Sequence, residues 1–350
     1  MRKYLLPETG TYYKANLHCH TTMSDGRLTP EEIKRAYMDK GYSIVAYTDH
    51  EFIFTHHDLA EENFLPITAY EAAFNEPANG RDFNFIQTYH LNLYAKDKNN
   101  TRMVMPNEST LRAWNKRAGR DENYLLDTFS EFFPAEYSQD YINRFVAEAN
   151  RAGFLVCLNH PGWSMQTYHD YDRLNGLENE GLFAMELSNY SCVVAGYIED
   201  SNHIYDRMLR GGCRKLYASA ADDNHNRHPM DSPRCDSFGG FTMIKAEKLD
   251  YDRIMQALEK GDFYASTGPL FEDVYYEDGK VYVKCSPVRS IRLLNEGRDA
   301  PVAIAPAGEL LTEAVFDVDP AFVGRYVRVD IRDAEGNFAD TRAYFLDELI

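Results

Sequence analysis

The sequence predicts an α/β fold that gives way to a smaller β-rich C-terminal domain. Three observations carry that reading. Short apolar runs alternate with amphipathic helical segments from the start of the chain to about residue 261. Beyond Gly261 the helical period disappears and turn signals separate short strands. The length, 350 residues, accommodates two domains or one large domain with an appendage at about 100–200 residues per domain.

The elements follow in order. Residues 13–18, Tyr13-Lys14-Ala15-Asn16-Leu17-His18, read as a first strand, and a polar loop runs from Thr21 to Leu28. Thr29, Pro30 and Glu32 then compose a capping box with proline at the first helical position, and Gly41 supplies the left-handed stop. Residues 43–48 form the second strand, and the apolar runs 65–70, 84–94, 154–159, 183–188 and 215–221 are further strands. Residues 138–152, stopped by Gly153, and 198–210, stopped by Gly211 and Gly212, read as helices. Between them and the early strands, residues 95–138 form a polar insertion expected to hold two short helices. A last helix over 251–260 precedes the change of pattern. There, strands 274–276 and 281–284 flank Glu277-Asp278-Gly279-Lys280, and strands 326–332 and 339–345 flank Ala334-Glu335-Gly336-Asn337. Both are hairpin signatures. The expected division is a first domain over 1–265 and a β-rich domain over 266–350.

Composition narrows the function classes. Thirty-seven Lys+Arg against 55 Asp+Glu leave a net charge of -18, which argues against a general polyanion binder. The β-rich tail from Asp262 is acidic too, with 9 Lys+Arg against 17 Asp+Glu, so no basic arm is present to neutralise nucleic-acid phosphates. Apolar runs are far shorter than the roughly 20 residues that cross a bilayer, so no membrane partner is expected. The first residues lack the apolar core of a signal peptide, and the six cysteines are scattered without a C-x-x-C pair. Reduced thiols and a cytoplasmic location are the expectation.

The strongest local feature is His18-Cys19-His20, since alternate residues of a strand share a face and two imidazoles on one face can chelate a metal. The same chemistry recurs down the chain. Asp25 lies in the loop after this motif, His50 closes Tyr47-Thr48-Asp49-His50, and Glu71 falls just past the third predicted strand. His90 follows Gln87-Thr88-Tyr89, His160 opens His160-Pro161-Gly162, and Asp223-Asn224-His225 follows the strand at 215–221. Six of the eleven histidines and three carboxylates thus fall at or near the C-terminal ends of strands, the face on which barrel-like α/β folds build active sites.

These motifs, in this order, resemble the PHP (polymerase and histidinol phosphatase) superfamily of metal-dependent hydrolases over about residues 13–265. The resemblance implies a distorted barrel of seven β/α units with two or three divalent ions per chain. Carried over, His18, His20, Glu71 and Asp223 hold one ion, Glu71, His90 and His160 a second, and Asp25, His50 and His225 a third. Asp25 stands where the family often has histidine, so the third ion is the variable one. Asp222 neighbours Asp223, and the D-x-H spacing favours Asp223 as the ligand. The segment Gly261 to Pro269, followed by hairpins, is similar to the branch of the superfamily that includes carbaryl-hydrolysing enzymes.

Imidazole and carboxylate without thiolate suit Zn, Mn or Fe. Such ions activate water and offset charge on a substrate oxygen, so no amino-acid nucleophile is required. The expected reaction is attack by a metal-bound hydroxide near Glu71, with Asp25 and His225 as further catalytic candidates, on a small phosphorylated metabolite or nucleotide. Hydrolysis of carboxyl esters, carbamates or amides on the same site is the alternative, and a non-catalytic metal-binding module the third reading. Three divalent ions outweigh the charge of Asp25, Glu71 and Asp223, which favours an anionic substrate despite the acidic chain. Arg27, Arg227, His228 and Arg234 share loops with the ligands and are candidates to grip phosphate, with Trp163 as a pocket wall. Asp49 reads as orienting a neighbouring ligand. His56-His57-Asp58, His169-Asp170 and His203 read as solvated residues at or on helices.

Overall fold

The computed structural model describes residues 2–166, 181–197 and 200–350. Its first strands are β1 (Lys3–Tyr4), β2 (Thr11–Asn16), β3 (Ile44–Tyr47), β4 (Leu65–Asn75), β5 (Thr88–Ala95), β6 (Phe154–Leu158), β7 (Ala184–Asn189) and β8 (Tyr217–Ala221). Strands β2 to β8 are hydrogen-bonded neighbours in chain order. Strands β2, β3 and β4 are parallel, as are β6, β7 and β8, while β5 is antiparallel to both its neighbours. Hydrogen bonds between the segments after β8 and β2 close the ring: Asp223 N–H donates to His18 O at 2.9 Å and His20 N–H to Asn224 O at 3.1 Å. Every residue of β3, β6 and β8 is buried, as expected of strands covered on both faces.

The helices form for local reasons that the sequence exposed. In α1 (Pro30–Asp39) the Thr29 side chain accepts from Glu32 N–H while the Glu32 carboxylate accepts from Thr29 N–H, completing the capping box. Helix α2 (Glu108–Arg117) lies in the insertion with Asn107 as its cap, and a single 3-10 turn, Leu126–Thr128, is the insertion's second helical piece. Ser138 caps α3 (Gln139–Arg151), whose Ile142, Phe145, Val146 and Ala149 pack against the barrel. A short α4 (Tyr190–Val194) leads towards α5 (Asn202–Arg210), while residues 198–199 of the predicted helix and His169-Asp170 lie outside the described residues. Helix α6 (Tyr251–Lys260) ends at Gly261 with φ of +75°, the left-handed cap expected there.

After the barrel come β9 (Phe241–Ala246), β10 (Phe263–Ser266), β11 (Phe271–Glu277), β12 (Lys280–Val288), β13 (Ser290–Asn295), β14 (Val302–Ile304), β15 (Leu311–Asp317), β16 (Tyr326–Arg332), β17 (Phe338–Thr341) and β18 (Tyr344–Phe345). Strand β9 pairs with β2, and β10 links β9 to β17, so one sheet runs from the barrel into the C-terminal strands. A second sheet, in the order β1-β11-β12-β15, packs on it around Leu5, Leu6, Val274, Val283, Leu293 and Val329. Both predicted hairpins form, β11 with β12 and β16 with β17. Among the described residues, no helix is long and apolar enough to cross a membrane.

Candidate metal centre

The barrel rim gathers the predicted residues from every side. His18 and His20 lie just past β2 in an extended segment, so alternate side chains point inward, while Cys19 turns into an apolar cluster with Val45 and Tyr47. His50 lies past β3, His160 past β6, and Asp223 and His225 past β8. Two placements differ from expectation. Glu71 sits inside β4 rather than past its end, because β4 continues beyond the last residue that pairs with β3, Thr68, to form a hairpin with β5. His90 sits near the start of β5, not at a strand end, because β5 runs against its neighbours and begins at the rim where they finish.

Three groups of ligand atoms result, each within 4.8 Å: His18, His20 and Asp223; Glu71, His90 and His160; and His20, Asp25, His50 and His225. Glu71 is central. Its oxygens lie 3.3 Å from His18 Nε2, 3.4 Å from His20 Nε2, 3.0 Å from His90 Nδ1 and 3.5 Å from His160 Nε2. Asp223 Oδ1 lies 3.2 Å from His18 Nε2 and 3.0 Å from His20 Nε2. Asp25 Oδ1 is 3.3 Å from His225 Nε2, 3.8 Å from His50 Nε2 and 3.9 Å from His20 Nδ1. His20 therefore adjoins two groups, one at each ring nitrogen.

Strain accompanies these positions. His160, Asp223 and the neighbouring Glu51 have φ of +26°, +55° and +62°, conformations that cost on the order of 1–3 kcal/mol each for such residues. The surroundings fix them: His160 N–H donates to Glu186 at 2.8 Å, Asp223 N–H to His18 O at 2.9 Å, and Glu51 N–H to Glu71 O at 2.7 Å.

Neighbouring polar groups divide the remaining work. Asp222 points away from the cluster, accepting from Phe238, Gly239 and Gly240 N–H at 2.7, 2.9 and 2.9 Å and from the Tyr37 hydroxyl at 2.7 Å. Its oxygens are spent on the loop before β9, which leaves Asp223 to face the rim. Asp49 accepts from Thr21 N–H and hydroxyl, both at 2.8 Å, and from the Ser24 hydroxyl at 2.6 Å, so it shapes the loop that carries Asp25. Glu186, absent from the sequence reading, lies 2.8 Å from His18 Nδ1 and turns the Nε2 of that ring towards Asp223 and Glu71. Asn189 and Asn159 donate to Asp223 and Glu71 at 3.1 and 2.8 Å.

The donor set fits divalent cations. Asp25 Oδ1, Glu71 Oε2 and His50 Nδ1 are buried without a hydrogen bond among the described residues, although the last two lie only 2.9 Å apart. Unpaired buried atoms of this kind are costly unless a cation takes them. Charge behaves accordingly. Burial favours the neutral carboxyl groups of Glu71 and Asp223, yet the surrounding histidines hold both well below the usual carboxylate range. Burial likewise opposes a charge on His225, but Asp25 and Asp223 raise it to about 9. The site demands positive charge, which protons supply when ions do not.

A cavity of about 810 Å³ opens on this cluster. Asp25, His50, Glu71, His90, His160, Asp223 and His225 line one end, and Tyr70, Val104, Met105, Tyr141 and Phe145 line an apolar side. Of the expected substrate-binding residues, Trp163 and Arg227 line it, whereas Arg27, His228 and Arg234 do not. Arg27 and Arg234 are exposed. Two residues the sequence reading missed come from α2. Trp114 stacks on His50 with ring centroids 4.2 Å apart, and Arg117 donates to Asp25 Oδ2 at 2.7 Å. His56, His57 and His203 belong to none of the three groups.

The fold and rim define a barrel protein with a candidate polynuclear metal centre. The model of the PHP domain family matches residues 16–161, and that span holds seven of the nine rim residues, from His18 to His160. Asp223 and His225 lie beyond the matched span and reach the rim through the closure of the barrel. No curated protein matches the sequence. Among solved structures, the chain is similar to a two-domain protein from Bacteroides vulgatus containing a predicted PHP-like metal-dependent phosphoesterase, at 14% identity and TM-score 0.44, covering 98% of both chains. It is also similar to an amidohydrolase from Chromobacterium violaceum with bound sulfate and no metal, at 18% identity and TM-score 0.36, covering 63% of this chain and 93% of that one.

Proposed function

We propose that the protein is a metal-dependent phosphoesterase acting on a small phosphorylated metabolite or nucleotide. The observation that carries this reading is the convergence of nine ligand-type side chains on one rim whose open edge bears two arginines, Arg117 and Arg227. His18, His20, Glu71 and Asp223 would hold one ion, Glu71, His90 and His160 a second, and Asp25, His50 and His225 a third, with His20 within reach of that group too. Zn, Mn or Fe suit these donors. The chemistry such ions supply is acidification of water and neutralisation of charge on phosphoryl oxygens.

The chain's own residues do the rest. Glu186 and Asn189 hold His18 and Asp223 in place, the arginines attract and orient the anion, and the walls from Trp114 and Trp163 exclude water from one side. Asp25 and His225 form the outermost pair and can hold a proton for the leaving oxygen only while no ion occupies them. Acid catalysis there and a third ion are thus mutually exclusive.

Protein reloaded with Mn or Zn should hydrolyse 4-nitrophenyl phosphate, and His50→Ala or Glu71→Ala should abolish that activity. Turnover surviving both substitutions would reject the assignment. Cleavage of 4-nitrophenyl acetate with phosphate esters inert would instead favour a hydrolase of carboxyl esters, carbamates or amides. Stoichiometric metal with neither ester cleaved would favour a non-catalytic module.

A further inference from the structure

We propose that Arg117, carried to the site by α2 of the insertion, forms with Arg227 a two-guanidinium seat for a dianionic phosphoryl group, so that the preferred substrate is a phosphomonoester. The inference rests on the phosphoesterase reading and narrows it.

Asp25 divides its two oxygens between different tasks. Oδ1 is buried without a hydrogen bond and faces His20, His50 and His225. Oδ2 accepts from Arg117 at 2.7 Å and from Arg227 at 3.2 Å. The two guanidinium groups come from unrelated places, the end of α2 and the loop after β8, and their charges repel where they meet. One carboxylate oxygen offsets only part of that repulsion, so the pair is left with a positive charge unmatched by Asp25. Stacking fixes Arg117: its guanidinium lies 4.6 Å over the Trp114 ring, which itself stacks on His50 at 4.2 Å. The two side chains are 54% and 55% exposed, and both residues line the cavity. Each guanidinium carries more N–H donors than Asp25 takes, and those are available to an anion.

Oxygen counting selects the monoester. A phosphodiester has two non-bridging oxygens, and ions held by the inner groups would engage both. A monoester has a third oxygen and a second negative charge, and the arginine pair is placed to receive both, as planar guanidinium groups do for phosphate. The rival explanation is that Arg117 only pins α2 to the Asp25 loop, and a pin would not discriminate among anions.

The test uses the metal-reloaded full chain. Trp114 and Trp163 are the chain's two tryptophans and both line the cavity, so intrinsic fluorescence reports on this site. Inorganic phosphate should change it, with dimethyl phosphate binding more weakly. R117A and R227A should each weaken phosphate binding about tenfold or more, with R117K between R117A and wild type, while dimethyl phosphate binding stays within about twofold. In turnover, R117A should lower kcat/KM for 4-nitrophenyl phosphate about tenfold relative to bis(4-nitrophenyl) phosphate. Phosphate affinity unchanged in R117A, or equal losses on monoester and diester, would overturn the seat. If wild type cleaves phosphoesters and R117A behaves like it, the phosphoesterase reading survives and the seat fails. If phosphate binding depends on Arg117 but only carboxyl esters are cleaved, the phosphoesterase reading fails and the anion seat survives.

Discussion

At the scale of single residues, Glu186 shows how a side chain that touches no candidate ion can govern one that does. It lies 2.8 Å from His18 Nδ1 and accepts from His160 N–H at 2.8 Å and Asn189 at 3.0 Å, so three elements depend on one buried carboxylate. With Nδ1 carrying the proton, His18 presents a lone pair on Nε2 to the centre. In Glu186→Gln the amide oxygen can face either His18 Nδ1 or the His160 and Asn189 donors, which now meet separate carboxylate oxygens, and its NH2 opposes the donors on the other side. Metal affinity should fall about 10–100-fold with the fold intact, measured by competition with a chromophoric chelator. Unchanged affinity would show that Glu186 only ties loops together. A sequence signal for this residue existed, since a lone carboxylate inside the apolar strand predicted at 183–188 must find a partner when buried. Which partner it finds is a long-range fact, because His18 lies 168 positions away.

At the scale of elements, the first loop of the site depends on a glycine that cannot be replaced for steric reasons. A Cβ on Gly26 would lie 2.4 Å from His20 O and 2.7 Å from Thr21 N, both backbone atoms of the segment that carries a ligand. Gly26→Ala must displace the loop holding Asp25, so elemental analysis should find fewer ions per chain than in wild type. The loss should fall on the His20, Asp25, His50 and His225 group, and full occupancy would contradict the account. Elements with strong local signals, such as α1 with its capping box and α6 with its glycine stop, were readable in the sequence because their causes lie within a few residues. The candidate ligands were readable for the same reason, as HxH, D-x-H and strand-end histidines are local patterns. The reversed direction of β5 was not, since the residues around His90 look alike whichever way the strand runs. Nor was α2's part in the site: Trp114 and Arg117 are ordinary members of an amphipathic helix until the barrel brings Asp25, 92 positions earlier, beside Arg117. Strands β9 and β13 to β15 escaped notice because their patterns are short and partly polar.

For the whole molecule, the sheet that leaves the barrel through β9 and β10 is fastened to it a second time by a buried ionic network. Arg328 of β16, fully buried, donates to both oxygens of Asp206 in α5 at 3.0 Å and also to Asp340 of β17. Asp340 stands directly across from Asp330, which pairs with Arg292 and Arg332, and Arg332 reaches Asp200. Two buried carboxylates face each other here, so burial first and the Asp330 charge second hold the Asp340 carboxyl well above its ordinary value, against the opposing pull of Arg328 and Arg332. The sign of the consequence follows from proton counting. Between the ordinary carboxylate range, near 4, and the raised native value, the native state keeps a proton that the unfolded chain has released, so rising pH destabilises the native state. That contribution is complete below the ordinary range and is lost as pH climbs through the native value. Asp340→Asn is neutral at every pH and keeps the side chain's size, so it should remove this part of the slope. Urea unfolding across a pH series should then show wild type losing stability relative to Asp340→Asn as pH rises, with the two closest under acid conditions. Wild type gaining stability relative to Asp340→Asn as pH rises would mean that Asp340 is held ionised, with Arg328 and Arg332 outweighing burial and Asp330, and parallel profiles would mean that its carboxyl is unshifted; either result would overturn the account.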